Sequence, residues 1–201
     1  MKMDKKLTRR RLIGTFAALL TCGARFARAS VTPENYVKSI GSDVLTLANS
    51  SVRGKALRVK FAALLGRHVN LRNIASSSLG SFRSKLPSGD REKFNELVTT
   101  YAAALFVWYV EKFKGSEFVI DSTVKQGNFL VVKSKIVKSA VNSEQVVWYL
   151  SAKGDSFQVV DLSILGVRLS IAMRDAFSKE LKKSKGDFER LYAFLREAET
   201  W

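Results

Sequence analysis

The chain has 201 residues, with 34 Lys and Arg against 18 Asp and Glu, one histidine and one cysteine. A formal charge of +16 favours anionic partners, whether lipid headgroups, acidic protein surfaces or nucleic acid. A single cysteine excludes an intrachain disulfide or a multi-thiolate metal site, and any histidine-based metal site or triad would have to be built around His68 alone.

Residues 1–29 have the layout of a cleaved export signal. Arg9, Arg10 and Arg11 precede an apolar run from Leu12 to Cys22, which is shorter than the about 20 residues a membrane span needs. Ala27-Arg28-Ala29 forms a small-residue exit before Ser30. Thr8-Arg9-Arg10-Arg11-Leu12-Ile13 resembles the twin-arginine signal, and Arg25 and Arg28 suit that route; an ordinary secretory signal is the alternative. Cys22 lacks the small residue that precedes a lipoprotein cysteine. The leader holds eight basic residues and one acid, so residues 30–201 keep 26 basic and 17 acidic residues and no cysteine. Export removes nucleic acid from the expected partners. What remains must fold as a single domain around one apolar core.

From Glu34 to Asn49, Tyr36, Val37, Ile40, Val44, Leu45, Leu47 and Ala48 recur at helical spacing. Arg58 to Val69 repeats the pattern, and Leu71 to Leu79 forms a shorter helix ended by Gly80. Pro87-Ser88-Gly89 breaks the chain before a long helix, with Asp90 and Glu92 in its first turn, that runs to about Phe113. The helical part therefore covers about 34–114. From Glu117 the period becomes two, with strands at 118–125, 129–138, 145–152 and 157–164 joined by hairpin-length turns within a sheet region of about 117–165. Helical spacing returns at Leu169 to Lys183 and Asp187 to Glu199, giving C-terminal helices over about 167–199. The order of helices, meander and helices predicts an α+β fold.

Catalytic motifs are missing: no G-x-S-x-G, P-loop, G-x-G-x-x-G or H-E-x-x-H sequence occurs. Asp121 and Asp161 lie in strands, where a carboxylate site beside Tyr149 would need one of them buried within reach of a substrate proton. His68, at a helix end, reads as a solvated terminal residue. Apolar surface is what the chain has in excess. Tyr101 to Val110 is ten apolar residues in succession, so this helix either crosses the core or turns one flank to an apolar cavity. Several strands are apolar on both faces, as for a sheet covered by helices or curved around a greasy ligand.

Asn70-Leu71-Arg72-Asn73-Ile74-Ala75 with Leu79-Gly80 and Phe82-Arg83, then Phe94, Leu97 and Tyr101, resemble ordered motifs of one family. Phe157 to Leu169, with Asp161 and Gly166, and then Arg174 and Phe177 continue the match, which covers about 34–196. The chain thus resembles the MlaC, or toluene-tolerance, family of periplasmic lipid-binding proteins, which includes the hopanoid-associated HpnM branch. Leu165 in place of an acid, Arg168 in place of a serine and Asn70 where an acid is common mark a divergent branch.

The resemblance implies a curved four-strand antiparallel sheet of the nuclear-transport-factor-like type, packed by N-terminal and C-terminal helices around an apolar cavity. It also implies a non-enzymatic periplasmic carrier. Such a carrier takes a phospholipid or hopanoid-like lipid as cargo, with no cofactor or metal. It exchanges that cargo between an inner-membrane ABC lipid-transport complex and an outer-membrane lipoprotein and porin complex, touching the membrane surface transiently and serving outer-membrane lipid asymmetry. Phe61, Leu65, Leu79, Phe82, Leu97, Tyr101 and Leu105 on the helices, and Val131, Val147, Tyr149 and Val160 on the sheet, are the candidate lipid-binding residues. Arg174 reads as a structural donor. Two other readings stay open: an envelope adaptor that binds protein through its basic face, which requires a cavity too small for an acyl chain, and an enzyme acting on an apolar substrate through Asp121 or Asp161.

Overall fold

The computed structural model describes residues 31–110 and 113–200; the export signal expected at 1–29 lies outside them. Thr32 starts the first helix, α1 (Pro33–Asn49), by accepting the Asn35 N–H at 3.2 Å, and Pro33 follows at the position where a missing N–H costs nothing. The next helix, α2 (Gly54–His68), leads through Val69 into α3 (Leu71–Ser78). Asn70 caps α3 through the Asn73 N–H, the service an acid would perform at that position. Gly80, at φ +53°, turns the chain into a 3₁₀ segment, Gly80–Lys85, and a second, Ser88–Asp90, opens onto α4 (Arg91–Val110).

The sheet is an antiparallel meander, β1 (Glu117–Gln126), β2 (Phe129–Ser139), β3 (Asn142–Lys153), β4 (Ser156–Ile164) and β5 (Val167–Arg168), in that spatial order. The sequence predicts four strands; the fifth is a two-residue strand after the tight turn at Leu165-Gly166, too short to carry a period of its own. Two helices close the chain, α5 (Leu169–Lys183) and α6 (Phe188–Glu197), followed by a 3₁₀ turn at Ala198–Thr200.

Register separates the two sheet faces. Ile136, Val146, Trp148, Leu150 and Leu162 are buried toward the helices, whereas Val131, Val147 and Tyr149 share the opposite face with Lys133 and Asp161. On the helical side α1 lies over β1 and β2, and α4 packs against α2, α3 and α6. A hydrogen bond from the Asn70 N–H to the Val159 carbonyl (2.8 Å) pins the α2–α3 junction to the sheet.

The apolar run of α4 divides. Tyr101 to Ala104 are buried on all sides, Leu105 to Val107 are half-buried, and Trp108 is 59% exposed. The first four are plain core. The last turn instead carries Phe106 to the edge of the sheet seam. Among the described residues no helix is long and apolar enough to cross a membrane.

Candidate functional site

Between α1 and the inner face of the sheet lies a small cavity of about 30 Å³ whose lining is wholly apolar. Gly41, Val44 and Leu45 form its helical wall, Phe106 and Phe113 one end, and Phe118, Ile136, Val146, Trp148, Leu162 and Ile164 the sheet wall. The indole N–H of Trp148 points to Ser134 Oγ at 2.8 Å, so even this polar atom is satisfied inside the sheet and the ring meets the cavity as hydrocarbon. Phe118 stands edge-on to Trp148, with centroids 6.2 Å apart.

Directly outside is an open groove of about 620 Å³ bordered by Lys38, Ser42, Thr46, Asn49, Ser50 and Ser116. Leu45 and Phe118 border both spaces and are therefore the partition between them. Asn49 Oδ1 accepts the Gly115 N–H at 3.0 Å and holds the far rim, while Ser116 Oγ is shielded from solvent without a hydrogen-bond partner among the described residues. A cationic, hydroxyl-rich groove thus meets an apolar seam across two side chains.

The sequence-predicted residues lie elsewhere. Phe61 and Leu65 are buried in α2, with Phe61 stacked on Phe106 at 6.2 Å and 17°. Tyr101 is buried against Phe177 and Phe194, and burial pushes its phenol above the usual range. Leu97 and Leu105 are half-buried on α4, and Leu79 borders a different groove, beside α3. Phe82 is half-buried under the Lys85 ammonium, 5.4 Å away. Val131, Val147 and Tyr149 are on the outer sheet face, and Val160 is the extra residue where the register shifts between Tyr149 and Leu150. None of the eleven borders the apolar cavity; Phe61 reaches it through Phe106. The available signal was Gly41, a glycine inside a helix, where it costs about 1 kcal/mol against alanine and marks a close approach.

The two strand acids are engaged. Asp121 is exposed at a β1 bulge and pairs with Lys135 at 3.1 Å. Asp161 is buried, but Oδ1 accepts the Leu162 and Ser170 N–H groups and Oδ2 accepts the Ser170 hydroxyl at 2.6 Å. Arg168 Nε lies 3.2 Å from Oδ2 as an ion pair without a directed hydrogen bond, and its guanidinium covers the Tyr149 ring at 3.9 Å. This cluster ties β4 to the start of α5, on the sheet face away from the cavity. Asp161 is thus buried beside its register partner Tyr149, whereas Asp121 is exposed, and neither acid borders the apolar cavity. Arg174 packs its side chain against Gly80. His68 is half-buried rather than solvated: its Nδ1 lies 3.3 Å from the Tyr36 hydroxyl and its ring meets the Tyr36 ring edge-on. Desolvation first, and the charge of Arg67 second, hold its pKa below the usual histidine range. Among the described residues no cluster of three His, Cys, Asp or Glu could hold a metal ion.

A five-strand antiparallel meander packed by helices, with an apolar seam between its first helix and the sheet, defines an α+β fold. The model of the MlaC protein family matches residues 42–197, and the chain belongs to that family. A search of curated proteins found no match. Among solved structures, the chain is similar to a phospholipid-binding protein from Ralstonia solanacearum, solved in complex with a phospholipid, with a TM-score of 0.67 and 16% identity. The alignment covers 83% of this chain and 96% of that one, and at this identity the likeness shows the fold.

Proposed function

We propose that the protein is a periplasmic lipid carrier that takes the acyl part of a phospholipid or related lipid into the seam behind Phe118 and leaves its headgroup in the groove beside Lys38. The observation that carries this reading is the shared wall: Leu45 and Phe118 alone border both the apolar cavity and the polar groove. Membership of the MlaC family and the phospholipid held by the Ralstonia protein support it.

The closed cavity, about 30 Å³, is far below the about 300–1,000 Å³ typical of ligand sites, so loading requires α1 and Phe118 to move off the sheet. Burial of about ten methylenes at about 0.8 kcal/mol each supplies about 8 kcal/mol toward that rearrangement. Phe61, stacked behind Phe106, is the next residue met by a chain that threads deeper. The carrier would work without catalysis or cofactor, reach the periplasm through the signal at 1–29, and exchange cargo between inner-membrane and outer-membrane transport complexes.

Native mass spectrometry of the purified protein tests the reading and is expected to show a co-purifying lipid. A protein that is reproducibly empty and cannot extract lipid from vesicles refutes it. The small closed cavity also favours a second reading, an envelope adaptor that binds protein through its basic surface. The adaptor reading predicts an empty protein in the same experiment.

A further inference from the structure

We infer that the groove between α3, the 3₁₀ segment Gly80–Lys85 and the start of α4 is a second binding site, for a phosphate ester. This groove encloses about 630 Å³ and is bordered by three arginines, Arg72, Arg83 and Arg91, and by Ser76, Ser81 and Ser84. The three arginines differ. Arg72 is committed to Glu92 in an exposed ion pair. Among the described residues, Arg83 and Arg91 make no ion pair or side-chain hydrogen bond, and both are exposed. Lys85 and Arg174 add positive charge nearby, Lys85 on the same 3₁₀ segment and Arg174 packed on Gly80.

Two uncommitted guanidinium groups bordering one concave space suit a tetrahedral oxyanion, because each offers a planar fork of donors that matches phosphate. Serine hydroxyls supply further donors that can rotate to suit. Leu79, Leu86 and Phe94 give the groove apolar surface as well. A bare anion leaves that surface unused, whereas the carbon part of an ester covers it, so the chemistry favours a phosphate ester over inorganic phosphate. The groove is separate from the Phe118 seam: Phe94 borders one and Phe106 the other, twelve residues or about 18 Å apart along α4. The inference therefore does not depend on a lipid tail entering the seam.

Amide chemical-shift titration of the purified protein tests it, with inorganic phosphate, glycerol 3-phosphate and dibutyryl phosphatidic acid as probes. Saturable shifts at Ser81, Arg83 and Ser84 are expected with the two esters. The double variant Arg83→Gln/Arg91→Gln should weaken ester binding about tenfold or more. A charge-matched control at exposed positions, Lys153→Gln/Lys183→Gln, should change it less than about twofold, by screening alone. Tighter binding of the phosphatidic acid than of glycerol 3-phosphate identifies a lipid headgroup as the source; equal binding of the two identifies a soluble ester. Both support the site. Absence of saturation with either ester, or equal weakening in the two double variants, overturns it. Because the arginines are exposed, circular dichroism of both variants should overlay the parent.

Discussion

Phe118 and Gly41 touch so closely that no side chain fits between them. A β-carbon at position 41 would fall 2.5 Å from Phe118 Cδ1 and 2.6 Å from Cε1 and Cγ. Glycine is therefore the condition for seating α1 on β1 with the Phe118 ring as the door of the seam. Gly41→Ala gains about 1 kcal/mol of helix propensity and loses about 1–3 kcal/mol to overpacking, so a net destabilisation is expected in urea unfolding. On the carrier reading the same change props the door and speeds lipid uptake from vesicles. A variant more stable than the parent would show that Phe118 yields freely.

Trp148 forms the sheet wall of the cavity and depends on one buried partner. Its indole N–H donates to Ser134 Oγ at 2.8 Å, and the Ser134 hydroxyl lies 3.2 Å from the Val146 carbonyl. Ser134→Ala leaves the indole donor unsatisfied in the core, at a cost of about 1–3 kcal/mol. Trp148→Phe removes the donor, so the double variant should cost less than the sum of the singles in a double-mutant cycle. Additive losses would argue against the hydrogen bond.

Much of the fold was legible because its elements bury one face. The spacing predicts Leu169 to Lys183, and α5 has those ends; Phe129 to Lys138 falls one residue short of β2. The segments that escaped are those without a period: the 3₁₀ turn at Gly80–Lys85 and the two-residue β5. The cavity was harder to read for a specific reason. Where a strand is apolar on both sides, alternation gives two faces but does not say which one the helices cover. Val131, Val147 and Tyr149 belong to the face opposite Trp148, and only register against Leu130, Val132 and Ile136 reveals it. Density of large apolar residues likewise pointed to the middle of α4, which is core, while the seam is marked by a glycine in α1 and the first apolar residue of β1.

Leu165 and Gly166 join β4 to β5 with φ of +54° and +79°. A two-residue hairpin turn with both φ positive favours Asn-Gly, and a leucine in that conformation costs about 1–2 kcal/mol. Leu165 is 58% exposed, so little burial offsets the strain. Leu165→Asn should stabilise the protein by about 1 kcal/mol, read as a raised urea midpoint with unchanged slope. No change would mean that the leucine side chain packs on Arg168 well enough to offset its backbone.

Asp161 anchors the same corner through Leu162, Ser170 and Arg168. Asp161→Asn replaces an acceptor facing the Ser170 hydroxyl and the Arg168 guanidinium by an amide that cannot satisfy both. A loss of about 1–3 kcal/mol is expected in chemical unfolding. Bound-lipid content should stay at the parent level, since this cluster lies on the sheet face away from the seam. Loss of lipid with stability intact would show that Asp161 acts on lipid binding.

His68, the chain's single histidine, makes the pH dependence simple to isolate. Partial burial against Tyr36 and the positive charge of Arg67 favour the neutral ring, so its folded pKa lies below the usual histidine value of 6.5. The unfolded chain then binds more protons as pH falls, and the linkage has one sign. The stabilisation is fully present above pH 6.5 and is lost as pH drops through the folded pKa. Proton NMR of the His68 ring should give the depressed value directly. His68→Gln should flatten the slope of unfolding free energy against pH below 6.5. A ring that titrates above 6.5, or an unchanged slope in the variant, would mean that the Tyr36 contact does not shield it.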